Sequence, residues 1–67
     1  MSGSKIIKQI MLDEGLKIRD VASEMDMLPA TLSSKLWRDS WTMDKLEEVL
    51  DVLGYELVAV KKGDLND

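Results

Sequence analysis

Two apolar patterns with the period of a helix stand close together near the middle of the chain, between Leu16 and Trp37. The first has the spacing i, i+3, i+4 and i+7 that marks one helix face, and it consists of Ile18, Val21, Ala22 and Met25. The second repeats at every fourth residue, at Leu28, Leu32 and Leu36, and Pro29 suits the first turn of a helix. Because only residues 26–28 separate the two patterns, the sequence predicts two short helices joined by a tight turn.

Similar patterns predict a helix before this pair and another after it. Ser4 is a plausible N-cap for a first helix that runs to about Glu14, and Gly15 stands at the C′ position. The pair itself is predicted at residues 18–25 and 29–38. Thr42 is a good N-cap for a fourth helix, which Gly54 ends. The predicted fold is therefore mainly α, with four short helices in a single domain of residues 1–67.

The segment 55–61, with the sequence YELVAVK, has the composition of a β-strand. An isolated strand leaves its backbone groups unpaired, so we expect two copies to pair across the two-fold axis of a homodimer. The alternative is a strand that lies on the helices of its own monomer. Residues 1–3 and 62–67 are expected to be flexible. The predicted dimer interface consists of Leu57, Val58, Ala59 and Val60.

Composition narrows the classes of function. The 67 residues include no Cys and no His, which excludes the usual structural zinc sites, disulfides and catalysis with a histidine base. We find no nucleophile–base pair, phosphate-binding loop or metal cluster, so we expect no enzyme activity, cofactor or small-molecule ligand. The chain contains no apolar run of membrane-spanning length and nothing that resembles a signal peptide, so we expect a cytoplasmic protein without membrane contact.

The charge of the chain is unevenly distributed. The net charge is −4, whereas proteins that bind nucleic acid normally carry a basic patch. The acidic excess lies after residue 45, and the central segment 16–45 is neutral. Its bases are Lys17, Arg19, Lys35, Arg38 and Lys45, and its acids are Asp20, Glu24, Asp26, Asp39 and Asp44. An acidic surface turned away from DNA is compatible with binding but weakens long-range attraction.

Three segments, DVASEM, ATLSSKL and WTMDKLEEVLDVLGYEL, occur here in the order and spacing of a known family. The sequence resembles the phage Cro and repressor type of helix-turn-helix proteins over residues 6–61. This resemblance implies a central helix-turn-helix whose second helix, residues 29–38, enters the DNA major groove. The chain departs from the family pattern at the start of its second helix, where Lys17-Ile18 replaces a Thr-Gln pair and the Gln that would contact DNA is absent.

The candidate DNA-binding residues lie on two helices. Lys17 and Arg19 begin the helix that would cross the phosphate backbone. The outward side of the next helix carries small residues, which let its backbone approach base edges closely. Lys35 and Arg38 lie toward the far end of that helix. Trp37 also points outward on a helical wheel, where it could cover Trp41, contact a partner or lie on the DNA backbone. The small or hydroxyl-bearing candidates are Pro29, Ala30, Thr31, Ser33 and Ser34.

The function expected from these residues is that of a small sequence-specific transcriptional regulator, a Cro-like repressor that binds a palindromic operator in double-stranded DNA as a homodimer. The first two turns of the helix at residues 29–38 contain no Arg, Asn or Gln that could make bidentate contacts to bases. DNA shape and half-site spacing are therefore expected to contribute much of the specificity. The alternative is a helix-turn-helix that binds proteins, as an antirepressor, an inhibitor or an antitoxin-like partner. The acidic balance and the missing Gln favour that alternative.

Overall fold

Four α-helices form the body of the structure, a computed structural model that describes residues 2–65. They are α1 (Gly3–Glu14), α2 (Ile18–Glu24), α3 (Pro29–Arg38) and α4 (Met43–Val52), and a short 3-10 helix follows at Lys62–Leu65. The predicted mainly α fold with four short helices is confirmed. Among the described residues, no helix is both long enough and apolar enough for a membrane crossing. Residues 1, 66 and 67, which the sequence assigns to flexible ends, lie outside the described part.

Helix α1 begins earlier than the sequence indicates. The cap is Ser2, whose hydroxyl accepts a hydrogen bond from the Lys5 backbone N–H at 3.2 Å, so the prediction of Ser4 as the cap is wrong. Ser4 lies one turn further in and is buried. The helix ends as predicted at Gly15, whose φ of 66° is the left-handed conformation that glycine adopts without strain.

Helices α2 and α3 are joined by a short turn at residues 25–28, as the spacing of the two apolar patterns predicts. Asp26 adopts a left-handed conformation with φ of 56°, which Asp tolerates better than most side chains. The Met27 N–H then donates to the carbonyl of Ala22 at 3.0 Å. Ala22 is fully buried, and its small side chain lets the two helices pack closely. Pro29 is the first residue of α3, where its missing N–H costs no hydrogen bond.

The core lies where all four helices meet. Each helix contributes the apolar side chains of one face, and Ile6, Ile10, Ile18, Trp41 and Leu57 are among the partly buried residues that pack around them. Burial of such side chains stabilises the fold by roughly 1.5–3 kcal/mol each. The buried residues are Ile7, Met11, Val21, Ala22, Leu32, Leu36, Leu46, Val49, Leu50 and Leu53.

Leu28 does not belong to this core. The repeat of leucines at every fourth position predicts that Leu28 shares the buried side of α3 with Leu32 and Leu36, and this prediction is wrong for Leu28, whose side chain is 71% exposed. It precedes the helix, with extended backbone angles of φ −72° and ψ 143°. The helical wheel therefore does not apply to it.

The predicted strand at 55–61 is not formed, and residues 2–65 contain no β-strand. The physical reason is that one copy of the described chain provides no second strand with which this segment could pair. After Gly54, whose φ is 85°, the Tyr55 N–H caps α4 by donating to the Leu50 carbonyl at 2.8 Å. The Tyr55 hydroxyl donates to Glu14 Oε1 at 3.0 Å and so fixes the segment to the end of α1. Leu57 packs against the core of its own chain.

Candidate nucleic-acid interface

The outward side of α3 consists of small side chains. Pro29, Ala30, Thr31 and Ser33 are exposed, and Ser34 is half-buried. Because Leu32 and Leu36 fix the other side of the helix in the core, this surface has one defined orientation on the domain. Small residues leave the helix backbone accessible, so a flat or grooved partner can approach it closely.

The two cations of α3 have different surroundings. Lys35 is half-buried, and its Nζ lies 6.0 Å from the centroid of the Trp41 ring. That separation is at the outer limit of a cation–π contact. The Lys35 side chain is thus directed towards the link between α3 and α4. Its ammonium group is therefore less available for a phosphate contact than the sequence predicts. Arg38, the last residue of α3, is exposed. It also lies in the last turn of the helix, where a positive charge is favourable.

Lys17 and Arg19, at the start of α2, are exposed as predicted. The Lys17 backbone N–H donates to Asp20 Oδ2 at 2.9 Å. Asp20 therefore places a carboxylate in the first turn of α2, where an approaching phosphate would be repelled. In the sequence Asp20 is one of the acids that balance the bases of the central segment, although an acid at the third position of a helix is also a recognisable capping pattern. Any phosphate contact here has to come from the Lys17 and Arg19 side chains.

A shallow groove runs between α2 and the beginning of α3, and both Arg19 and Pro29 are among the residues that line it. The structure thus brings together the start of α2 and the start of α3, which the sequence predicts to act together. The groove is lined by Arg19, Ser23, Asp26, Met27, Leu28 and Pro29.

Helix α3 differs from the other helices in its charge. Helix α3 carries two bases and no carboxylate, although the chain as a whole has thirteen acidic residues. Lys45 forms an ion pair with Glu48 at 3.1 Å, the one ion pair among the described side chains. The acids of α4 lie along another groove, between that helix and the segment that follows it. That groove is lined by Asp44, Glu47, Glu48, Asp51, Tyr55, Glu56 and Leu57.

A hydrogen-bond network fixes the end of α3. The Ser4 hydroxyl donates to the Leu36 carbonyl at 2.7 Å and accepts from Trp41 Nε1 at 2.8 Å. The Ser4 backbone N–H donates to Asp39 Oδ1 at 2.9 Å, and Asp39 itself is left-handed, with φ of 53°. This N–H and the Ser2 hydroxyl hold the pKa of Asp39 below its usual range, because both stabilise the carboxylate. The sequence gives no indication of the network, which joins residues 32–37 positions apart.

The predicted dimer residues do not share one environment. Val58, Ala59 and Val60 are exposed, and Val58 is 66% accessible. Leu57 is partly buried against the core of its own chain, so it is not free for a second copy. The surface available for association is therefore narrower than the sequence predicts.

Comparisons with models of protein families, with curated proteins and with solved structures returned no match for this chain. In the part of the chain that the structure describes, no three acidic side chains lie close enough together to hold a metal ion. The interpretation of the surface formed by α2 and α3 therefore depends on its own geometry and charge.

Proposed function

We propose that this protein is a sequence-specific DNA-binding regulator that inserts α3 into the major groove. The observation that carries the proposal is the outward side of α3, a helix without carboxylates that presents exposed Ala30 and Ser33, while Arg19 of α2 lines the same groove as Pro29 at the start of α3. A two-helix unit of this kind places its second helix in the groove while the first crosses the phosphate backbone. Repression would follow from occupancy of the operator.

The two sets of residues have different tasks in this proposal. Lys17, Arg19 and Arg38 contact phosphates, which sets affinity and register but conveys no sequence information. Thr31, Ser33 and Ser34 contact base edges through hydroxyl groups, and Ala30 contacts thymine methyl groups. Because hydroxyl groups accept several partners, direct recognition of bases is modest. Groove shape and half-site spacing supply the remaining specificity.

We further propose that the active species is a homodimer formed through the segment that follows α4. Its exposed apolar side chains, Val58 and Val60, have no covering residues within the described part of the chain. Pairing of two such segments across a two-fold axis would satisfy their backbone groups and cover both valines. It would also present two α3 helices to a palindrome. Light scattering at micromolar concentration should give twice the 7.6 kDa chain mass, and a strictly monomeric protein would overturn this part.

The proposed function is tested by selection from a library of random duplexes at several salt concentrations. We expect an enriched palindrome and an affinity that falls steeply as salt rises, since bound cations displace counterions from DNA. A protein verified as folded and dimeric that binds no duplex at low salt would overturn the proposal.

A second candidate function is protein binding through the same surface. The Asp20 carboxylate at the start of α2 and the acidic groove beside α4 favour it, because both oppose the approach of DNA. In that case an Asp20→Asn variant would bind DNA no better than the wild-type protein. In the DNA-binding proposal the same variant should bind more tightly, since the substitution removes a negative charge beside the phosphate contacts.

A further inference from the structure

The two tryptophans of the chain have opposite environments. Trp41 is half-buried, packs against the core and donates its Nε1–H to Ser4. Trp37, four residues earlier, is 86% exposed, and its Nε1–H has no acceptor among the described residues. The indole ring is the largest apolar side chain, and because that of Trp37 is exposed, it gains little packing energy within the monomer.

Trp37 lies on the same side of α3 as the small residues of the candidate interface. Ala30, Ser33 and Trp37 are spaced i, i+3 and i+7, which aligns them along one helix face. The distance from Ala30 to Trp37 along the axis is roughly 10 Å, at about 1.5 Å per residue. Arg38 follows directly, and α3 carries no acid. Within α3 the charged neighbour of Trp37 is therefore a cation, and the nearest acid in sequence, Asp39, accepts a hydrogen bond from the Ser4 backbone N–H. A cationic neighbour favours a negatively charged partner, and in the proposed function that partner is DNA.

We propose that Trp37 contacts the DNA backbone, with its ring against a deoxyribose and its Nε1–H donating to a phosphate oxygen. This inference depends on the proposed function. If the first turns of α3 reach the base edges, a side chain roughly 10 Å further along the axis lies near the rim of a groove that is about 8.5 Å deep. The sugars and phosphates are at that rim. An indole offers an apolar face for the sugar and one N–H for the phosphate, so its two ends match the two parts of the backbone.

The contact predicts a loss of affinity that does not depend on base sequence. Trp37→Ala should weaken binding about tenfold, as expected for removal of roughly 60 Å² of apolar contact. The loss should be equal on an AT-rich and a GC-rich duplex of 20 bp. Trp37→Phe keeps an aromatic face for the sugar but removes the indole N–H, so its affinity should lie between those of wild type and Trp37→Ala. The matched control is Leu12→Ala, which shortens another exposed apolar side chain, on α1, and should leave binding unchanged.

Salt dependence separates this contact from an ionic one. Trp37→Ala should keep the slope of log K against log salt, because an indole releases no counterion, whereas Arg38→Ala should reduce the slope by about one. A loss confined to thymine-containing duplexes, and absent when uracil replaces thymine, would assign the ring to a base edge and overturn the inference. So would equal binding by Trp37→Ala and wild type.

Wild-type protein labelled with 5-fluorotryptophan provides a second measurement without destabilising substitutions. The two ¹⁹F resonances are assigned with Trp37→Phe. Addition of duplex should shift the Trp37 resonance and leave that of Trp41 in place. If wild type binds DNA while the Trp37 resonance does not move, this inference fails and the proposed function stands. If Trp37 is already shielded from acrylamide in the free protein, its face is an interface between copies, which overturns the inference. Failure of wild type to bind any duplex overturns both.

Discussion

Trp41 Nε1 donates a hydrogen bond of 2.8 Å to the hydroxyl of Ser4, which lies 37 residues earlier in the chain. The same hydroxyl donates to the Leu36 carbonyl at 2.7 Å. One buried serine thereby joins α1, the end of α3 and the link to α4. Because α3 carries the candidate interface, the orientation of that surface depends on a contact at the opposite end of the sequence.

Replacement of Ser4 by Ala should destabilise the protein by about 2 kcal/mol, because it leaves the Leu36 carbonyl and the Trp41 N–H without their partner. Urea unfolding monitored by circular dichroism measures the change. Ser40→Ala removes an exposed hydroxyl nearby and should alter stability by less than about 0.5 kcal/mol. Equal effects of the two substitutions would show that the buried hydroxyl has no special role.

Gly3→Ala should lower the melting temperature although alanine favours helices. A Cβ at this position would lie 2.9 Å from Trp41 Cδ1 and 3.2 Å from Cγ, so the indole ring would have to move. We expect a loss of about 1–2 kcal/mol, as is typical of overpacking. Gly63→Ala, where an added Cβ meets nothing within 4 Å, is the control and should be neutral. An unchanged or higher melting temperature for Gly3→Ala would mean that the ring yields freely and that helix propensity determines the result.

Asp39 should make stability sensitive to acid. Its pKa is lowered chiefly by the Ser4 N–H, so the stabilisation is present above the ordinary value of 3.8 and is lost as the pH falls through the lower folded value. Asp39→Asn keeps a side chain that tolerates φ of 53° but removes the charge. The variant should be less stable at pH 7, and its difference from wild type should shrink below pH 3.8. Urea midpoints between pH 2 and 7 test this, and a constant difference would contradict it.

Leu28→Ala and Leu32→Ala should differ strongly, although both leucines belong to the same sequence repeat. Leu32 is fully buried, and its truncation should cost about 2–5 kcal/mol through the cavity it leaves. Leu28 is 71% exposed, and its truncation should cost less than about 0.5 kcal/mol. The midpoints of urea unfolding compare the two. Similar losses would place Leu28 in the core, as the repeat predicts.

Local patterns in this chain predicted local structure well. The bounds of α3 and the cap at Thr42 depend on neighbouring residues, and each is found where the sequence indicates. The prediction that Leu28 is buried is wrong because Leu28 precedes α3, and helical periodicity applies only within a helix. The strand at 55–61 failed for a different reason, since a strand requires a partner that one copy of the described chain does not provide.

The candidate site was predicted less completely than the fold. The exposure of Lys17, Arg19 and the small residues of α3 follows from helix spacing. The position of Lys35 near the Trp41 ring does not, because it depends on how the link after α3 folds back. The cap formed by Asp20 was visible in the sequence as an acid three residues after Lys17, and it reduces the phosphate-binding capacity of α2.

Two double variants, each lacking two positive charges, test whether α2 and α3 form a specific interface for DNA. Lys17→Ala/Arg19→Ala alters the start of α2, whereas Lys61→Ala/Lys62→Ala removes two exposed cations outside the candidate interface. Binding to a duplex of 20 bp is measured across a salt series. We predict that the first variant binds much more weakly, with the slope of log K against log salt reduced by about two, and that the second keeps the wild-type slope. Equal loss of slope in both variants would show that attraction to DNA is a general effect of charge, and would contradict a specific interface at α2 and α3.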